Sequence, residues 1–162
     1  MARRRRALVE DEAGVLGGFE VLPFGFLVLV AGTLLIANAW GVVDAKLAAS
    51  AAAREAARAF VESEGPEPSA LAEAGAAARG AILGHGRDPG RMTLRGDGPL
   101  ELRRCARSTF VVTYRVPTMA LPWIGAFGAG VIETSARHSE VVDPYRDDVP
   151  FGEGRTEVRC DG

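Results

Sequence analysis

Val21-Leu-Pro-Phe-Gly-Phe-Leu-Val-Leu-Val-Ala-Gly-Thr-Leu-Leu-Ile-Ala-Asn-Ala-Trp-Gly-Val-Val43 contains no charged side chain. About 20 apolar residues cross a bilayer core as a helix, and this run is slightly longer. Pro23 falls in the first turn, where a missing N–H costs little. Trp40 stands near the far end, where indole favours the headgroup region. Arg3, Arg4, Arg5 and Arg6 precede the run, and clustered Arg on a short flank holds that side in the cytoplasm. Lys46, Arg54 and Arg58 on the other flank weaken the asymmetry without reversing it. The expected topology is single-pass, with the N-terminus inside and the bulk of the chain outside. A second reading takes the same features as a cleavable secretion signal, with Ala37-Asn38-Ala39 as the small-x-small cut site. The run is longer than a usual signal core, which favours the anchor. Both readings export the C-terminal region.

Working outward, the chain of 162 residues and 17.1 kDa has room for about one domain. A hydrophobic content of 48% with 25% charged residues excludes a wholly disordered polymer. A formal net charge of −2 gives no general attraction to nucleic acid, and none is expected as a partner. Lys46 is the only lysine among 19 basic residues.

Helix-forming sequence continues past Asp44 as AKLAASAAAREAARAFVES, with no Pro or Gly before Gly65. A single helix from Glu20 to Glu62 would be about 60 Å long. Gly65-Pro66-Glu67-Pro68 stops it. Small residues recur every fourth position at Ala37, Gly41, Ala45, Ala49, Ala53 and Ala57, which puts them on one face. Such a ridge lets another helix approach closely. An Ala-rich composition produces the same row by chance. Asn38 adds a polar group suited to an interhelical hydrogen bond.

The remainder reads as a small exported head. Ser69–Leu83 is expected as a second helix, stopped by Gly84. Arg91–Arg95 and Leu100–Arg104 flank Gly96-Asp97-Gly98-Pro99, the pattern of a hairpin. Thr109–Val116 alternates, with Phe110, Val112, Tyr114 and Val116 on one face. Val131–Val142 is a further strand, its Ile132, Thr134 and Ala136 face expected inward. The fold class is therefore α+β, a long N-terminal helix packed on a small antiparallel sheet. The apolar connection from Pro117 to Gly130 is either core packing or a contact loop, with Trp123 and Phe127 as the residues to test. Cys105 and Cys160, the only cysteines, pair in an oxidising compartment or stay free thiols in a reducing one.

Chemistry-bearing motifs are missing. Two histidines, His85 and His138, carry no Cys or carboxylate at zinc spacing, so no metal and no cofactor are expected. No nucleophile elbow or Gly-rich phosphate loop occurs, so no enzyme is expected. Asp143, Asp147, Asp148 and Glu153 lack the alternation of a calcium loop and read as a solvated acidic tail.

The order of these features is similar to that of a known family. Gly14–Pro23 (GVLGGFEVLP) places one Glu at the mouth of an apolar span with Pro close behind, and Ala52–Ala59 (AAREAARA) follows. Together with STFVVTYRVP and VIETSARHSEVV, these stretches resemble the TadE-like proteins of the tight-adherence (Tad) pilus system, relatives of type IV pilins and pseudopilins. The resemblance implies a minor pilin or pseudopilin acting in surface pili, adhesion or export. It assigns Glu20 a role in subunit register, its carboxylate pairing the freed amine of a neighbouring subunit. From position alone, Glu20 is also an interfacial acid favoured by the helix dipole. Gly14 stands six positions ahead of Glu20, one more than the family's cleavage pattern. The implied partners are sister pilin-like subunits, an inner-membrane platform protein and a prepilin peptidase. The expected layout is a basic leader over 1–20, the span over 21–43, its continuation over 44–64, the head over 65–142 and an acidic tail over 143–162. The alternative is a soluble secreted binding module released after Ala39.

Overall fold

The computed structural model describes residues 21–117, 130–150 and 160. Helix α1 is Val21–Glu62, and helix α2 is Glu67–Gly84. A 3-10 turn at Pro89–Arg91 leads into strands β1 (Met92–Gly96), β2 (Arg107–Pro117) and β3 (Val131–Val141). The fold is α+β, with a long N-terminal helix, a second helix and one antiparallel sheet in the order β1-β2-β3. The chain divides into two compact units at Trp40 and Gly41, and the second unit carries the head.

Within that second unit α2 returns along α1. Pro66 and Pro68 cannot continue α1 but suit the start of α2, where the missing N–H groups need no partner. At its far end α2 closes with a Schellman motif. Gly86 at φ +68° sends its N–H to the Leu83 carbonyl, and the N–H of Arg87 reaches that of Ile82. The helix ends at Gly84, as expected, and the left-handed residue of its cap is Gly86, two residues on. This turn aims Arg87 at Asp44 and Gly41 of α1. Ala70, Ala74, Ala78 and Ile82 of α2 share one buried cluster with the alanines of α1. Alanine at a helix contact permits the shortest interaxial distances.

The sheet covers the other side of this core. Phe110, Val112, Tyr114 and Val116 of β2 are all buried, as the alternation requires. Phe110 meets Phe60 of α1 edge to face, with ring centroids 5.5 Å apart. Register puts Val112 between Leu94 of β1 and Ala136 of β3. Ile132 and Thr134 lie on the expected face, yet Ala136 and Val142 are the buried residues there, and Ile132 is 41% exposed.

The expected hairpin does not form, and this corrects the sequence reading. The partner of β1 is β2, and residues 100–104 are not a strand. Their backbone donors are committed elsewhere. The N–H of Leu102 goes to the Glu67 carboxylate and that of Arg104 to the Pro150 carbonyl. Leu100 instead folds back over Gly96, where a Cβ would lie 2.5 Å from its side chain. Cys105 then enters β2 at φ +63°. Its N–H binds the Val142 carbonyl while the N–H of Val142 binds the carbonyl of Ala106, so two residues oppose one in a G1-type bulge.

On the outside of α2, a Cβ at Gly80 would meet nothing within 4 Å. Gly80→Ala is therefore expected to stabilise the head by about 0.5–1 kcal/mol, read as a higher urea midpoint with an unchanged m-value.

Candidate functional site

Two features carry functional weight: the naked apolar part of α1 and the way its continuation is built into the head. Along Val21–Trp40 the large apolar side chains lie open, with Leu22, Phe24, Phe26, Leu29, Leu35 and Ile36 all prominently exposed. None of the most apolar window of α1 is buried, and the helix is long and apolar enough to cross a membrane. Its polar groups are turned inward to the backbone. Thr33 Oγ1 donates to the Leu29 carbonyl at 2.8 Å, and Asn38 Nδ2 donates to that of Leu34 at 2.9 Å. Such back-bonding lets hydroxyl and amide groups lie in hydrocarbon at low cost.

The small-residue ridge splits in two. Ala37 is exposed and Gly41 half-buried, whereas Ala45, Ala49, Ala53 and Ala57 are fully buried inside the chain's own head. The expectation that a helix docks on this ridge thus meets a different occupant over Ala45–Ala57. The chain's own core fills that stretch, so a neighbouring subunit has no access to it. The AAREAARA stretch follows the same division. Its Ala52, Ala53, Ala56 and Ala57 face the core, while Arg54, Glu55 and Arg58 face water. Arg58 pairs with Glu62 one turn on.

Where the uncharged run ends, a polar clamp begins. Arg87 donates to Asp44 Oδ2 at 2.7 and 3.0 Å and to the Gly41 carbonyl at 2.9 Å. Its guanidinium lies 5.5 Å from the centre of the Tyr114 ring. Asp44, the first charge after the span, is thus tied to α2 and the sheet. Lys46 donates to the Ser135 carbonyl of β3.

At the other end of α1, Arg146 donates to the carbonyls of Val61 and Ser63 and so satisfies the helix C-terminus. Its hydrogen bond to Asp148 raises the Arg146 pKa and holds the Asp148 carboxyl below its ordinary value of 3.8. An open groove of about 620 Å³ surrounds this pair, lined also by Glu62, Glu64, Glu140 and Asp143. The acidic tail is therefore less free than its composition suggests, since Asp147 also lies near Arg104 and Asp143 accepts the Tyr145 N–H. A depressed folded pKa stabilises above the unfolded value and ceases to do so as pH falls through the folded one. The melting temperature of the head should thus fall as pH drops below about 4, and Asp148→Asn should flatten that acid limb.

Cys105 and Cys160 form a disulfide with Cα atoms 5.1 Å apart. His138 lies 3.1 Å from Glu140, and His85 is the exposed C-cap of α2. Among the described residues no three His, Cys, Asp or Glu side chains gather as a metal set. Glu20, Trp123 and Phe127 lie outside the described residues. The clamp of Arg87, Asp44 and Tyr114 was missed by sequence reasoning, because Gly86 is what carries Arg87 back to α1. Compared with family models, with curated proteins and with solved structures, the chain matches none of them.

Proposed function

We propose that the protein is a single-pass membrane component of pilus assembly, of the kind its resemblance to TadE-like minor pilins and pseudopilins implies. The observation that carries this reading is that one uninterrupted helix supplies both a bare apolar span and the central wall of a disulfide-bonded head. A detached module would not need its core helix to begin with an uncovered hydrocarbon face. The absence of a helix break at Ala37-Asn38-Ala39 supports the anchor over release at Ala39. The Arg3–Arg6 cluster supports a cytoplasmic N-terminus, and the disulfide supports an extracytoplasmic head.

In this reading the Val21–Trp40 part of α1 packs against sister pilin-like subunits, with Ala37 as the exposed residue of the small-residue ridge in that stretch. Glu20 sets their register. A membrane platform protein and a prepilin peptidase complete the set of partners. The test is carbonate extraction of membranes followed by N-terminal sequencing. The full-length or processed chain is expected in the pellet, with processed material starting near Leu16. Release of the chain into the supernatant, or a mature start at Trp40, overturns the reading.

A further inference from the structure

The face of the sheet turned away from the helices has a composition that neither the core nor a membrane anchor requires. Register places Arg95, Val111 and Arg137 directly across the three strands. Beside this row lies a second one of hydroxyls, Thr93, Thr113 and Ser135. On its other side Thr109 and Ser139 share a hydrogen bond of 2.9 Å. Arg107 and Arg115 stand at the two ends of β2 on the same face. Eight residues of strand separate them by about 27 Å, and two strand spacings separate Arg95 from Arg137 by about 10 Å.

The charges on this face do not cancel. Arg115 pairs with Glu133 at 3.3 Å, and Arg137 pairs with Asp97 at 2.9 Å. The side chains of Arg95 and Arg107 are exposed and make no hydrogen bond or ion pair among the described residues. A shallow hollow of about 320 Å³, lined by Arg95, Asp97, Val111 and Thr113, runs beside the first of them. Two guanidiniums without a partner among the described residues, beside rows of hydroxyls, suit an anion that also carries hydroxyls.

We propose that this sheet face binds an acidic polysaccharide laid along β2, with Arg95 and Arg107 holding its carboxylates and the Thr and Ser rows meeting its hydroxyls. Guanidinium grips carboxylate through two parallel hydrogen bonds. Other polyanions fit less well. The described part of the face offers no aromatic ring on which a base would stack, because Phe110 and Tyr114 point to the core.

The test uses the purified full chain in detergent, with polygalacturonate as probe and neutral dextran as control. Binding to polygalacturonate is expected, weakening as salt is raised. Arg95→Gln/Arg107→Gln should bind about tenfold or more weakly, with an unchanged melting temperature. Arg79→Gln, on the outside of α2, should bind as the parent chain does. Three results overturn the proposal: no retention beyond dextran, an unaffected double variant, or equal or tighter binding of single-stranded DNA. The assay reads the sheet face alone, so failure of the pilus reading leaves its outcome unchanged.

Discussion

Replacing Cys105 and Cys160 with Ser lowers the unfolding free energy of the head by about 4 kcal/mol, as expected for a cross-link that closes a loop of 55 residues. For a unit of this size that is a fall of roughly 10–20 °C in melting temperature. The bond acts on the unfolded chain by limiting its conformations. It also acts on a specific piece of the native one. Beyond β3 the chain is held by the backbone bonds of Val142 to Cys105 and Ala106, by Arg104 on Val149 and Pro150, and by Arg146 on the end of α1. Cross-linking Cys160 to Cys105 closes the chain around those contacts.

The backbone at Cys105 makes a second variant informative. A φ of +63° suits Gly and strains a residue with a Cβ. Cys105→Gly/Cys160→Ser should therefore recover about 1 kcal/mol relative to the double serine chain, although both lack the bond. Urea unfolding of the oxidised, reduced and two substituted chains measures each step. If the oxidised and reduced parent chains unfold within about 1 kcal/mol of each other, the cross-link contributes little. If the Gly variant shows no gain, the bulge does not depend on that left-handed residue.

What was legible in the sequence follows from how local each signal is. The length of α1 follows from an unbroken run of helix formers, and the buried face of β2 from strict alternation at Phe110, Val112, Tyr114 and Val116. Both are one-element patterns. Pairing is not. Gly96-Asp97-Gly98-Pro99 has the composition of a hairpin turn, but Leu100–Arg104 is drawn away by Glu67 and Pro150, which are distant in sequence. The ridge shows the same limit. Ala45–Ala57 declares a close helix contact without naming the partner. The matching stripe of Ala70, Ala74 and Ala78 was present in the sequence as the signal that the partner was internal. The Arg95–Val111–Arg137 row exists only once register is fixed, since a slip of one residue would turn every side chain to the other face.

Phe60→Ala should cost the head about 3–5 kcal/mol, close to the whole stability of a small domain. The size of the effect comes from how few large side chains the described residues give the core. Seven alanines of α1 are completely buried, and each removes only a methyl group from water. Among the described residues Tyr114, Phe60, Phe110 and Ile82 are the largest fully buried side chains, so the apolar area described is concentrated in a few residues. Phe60 also meets Phe110 at an interplanar angle of 62°, an edge-to-face contact worth about 0.5–1.5 kcal/mol beyond its area. The cavity left by alanine cannot easily close. The spacing of α1 from its neighbours is already set by alanine contacts, which have no longer side chain to lend. Phe60→Leu keeps most of the volume and should cost well under half as much. Urea unfolding of the two variants beside the parent chain gives both values. A penalty below about 1 kcal/mol for Phe60→Ala would mean that α1 can sink onto β2, and that the alanine stripe does not fix their separation.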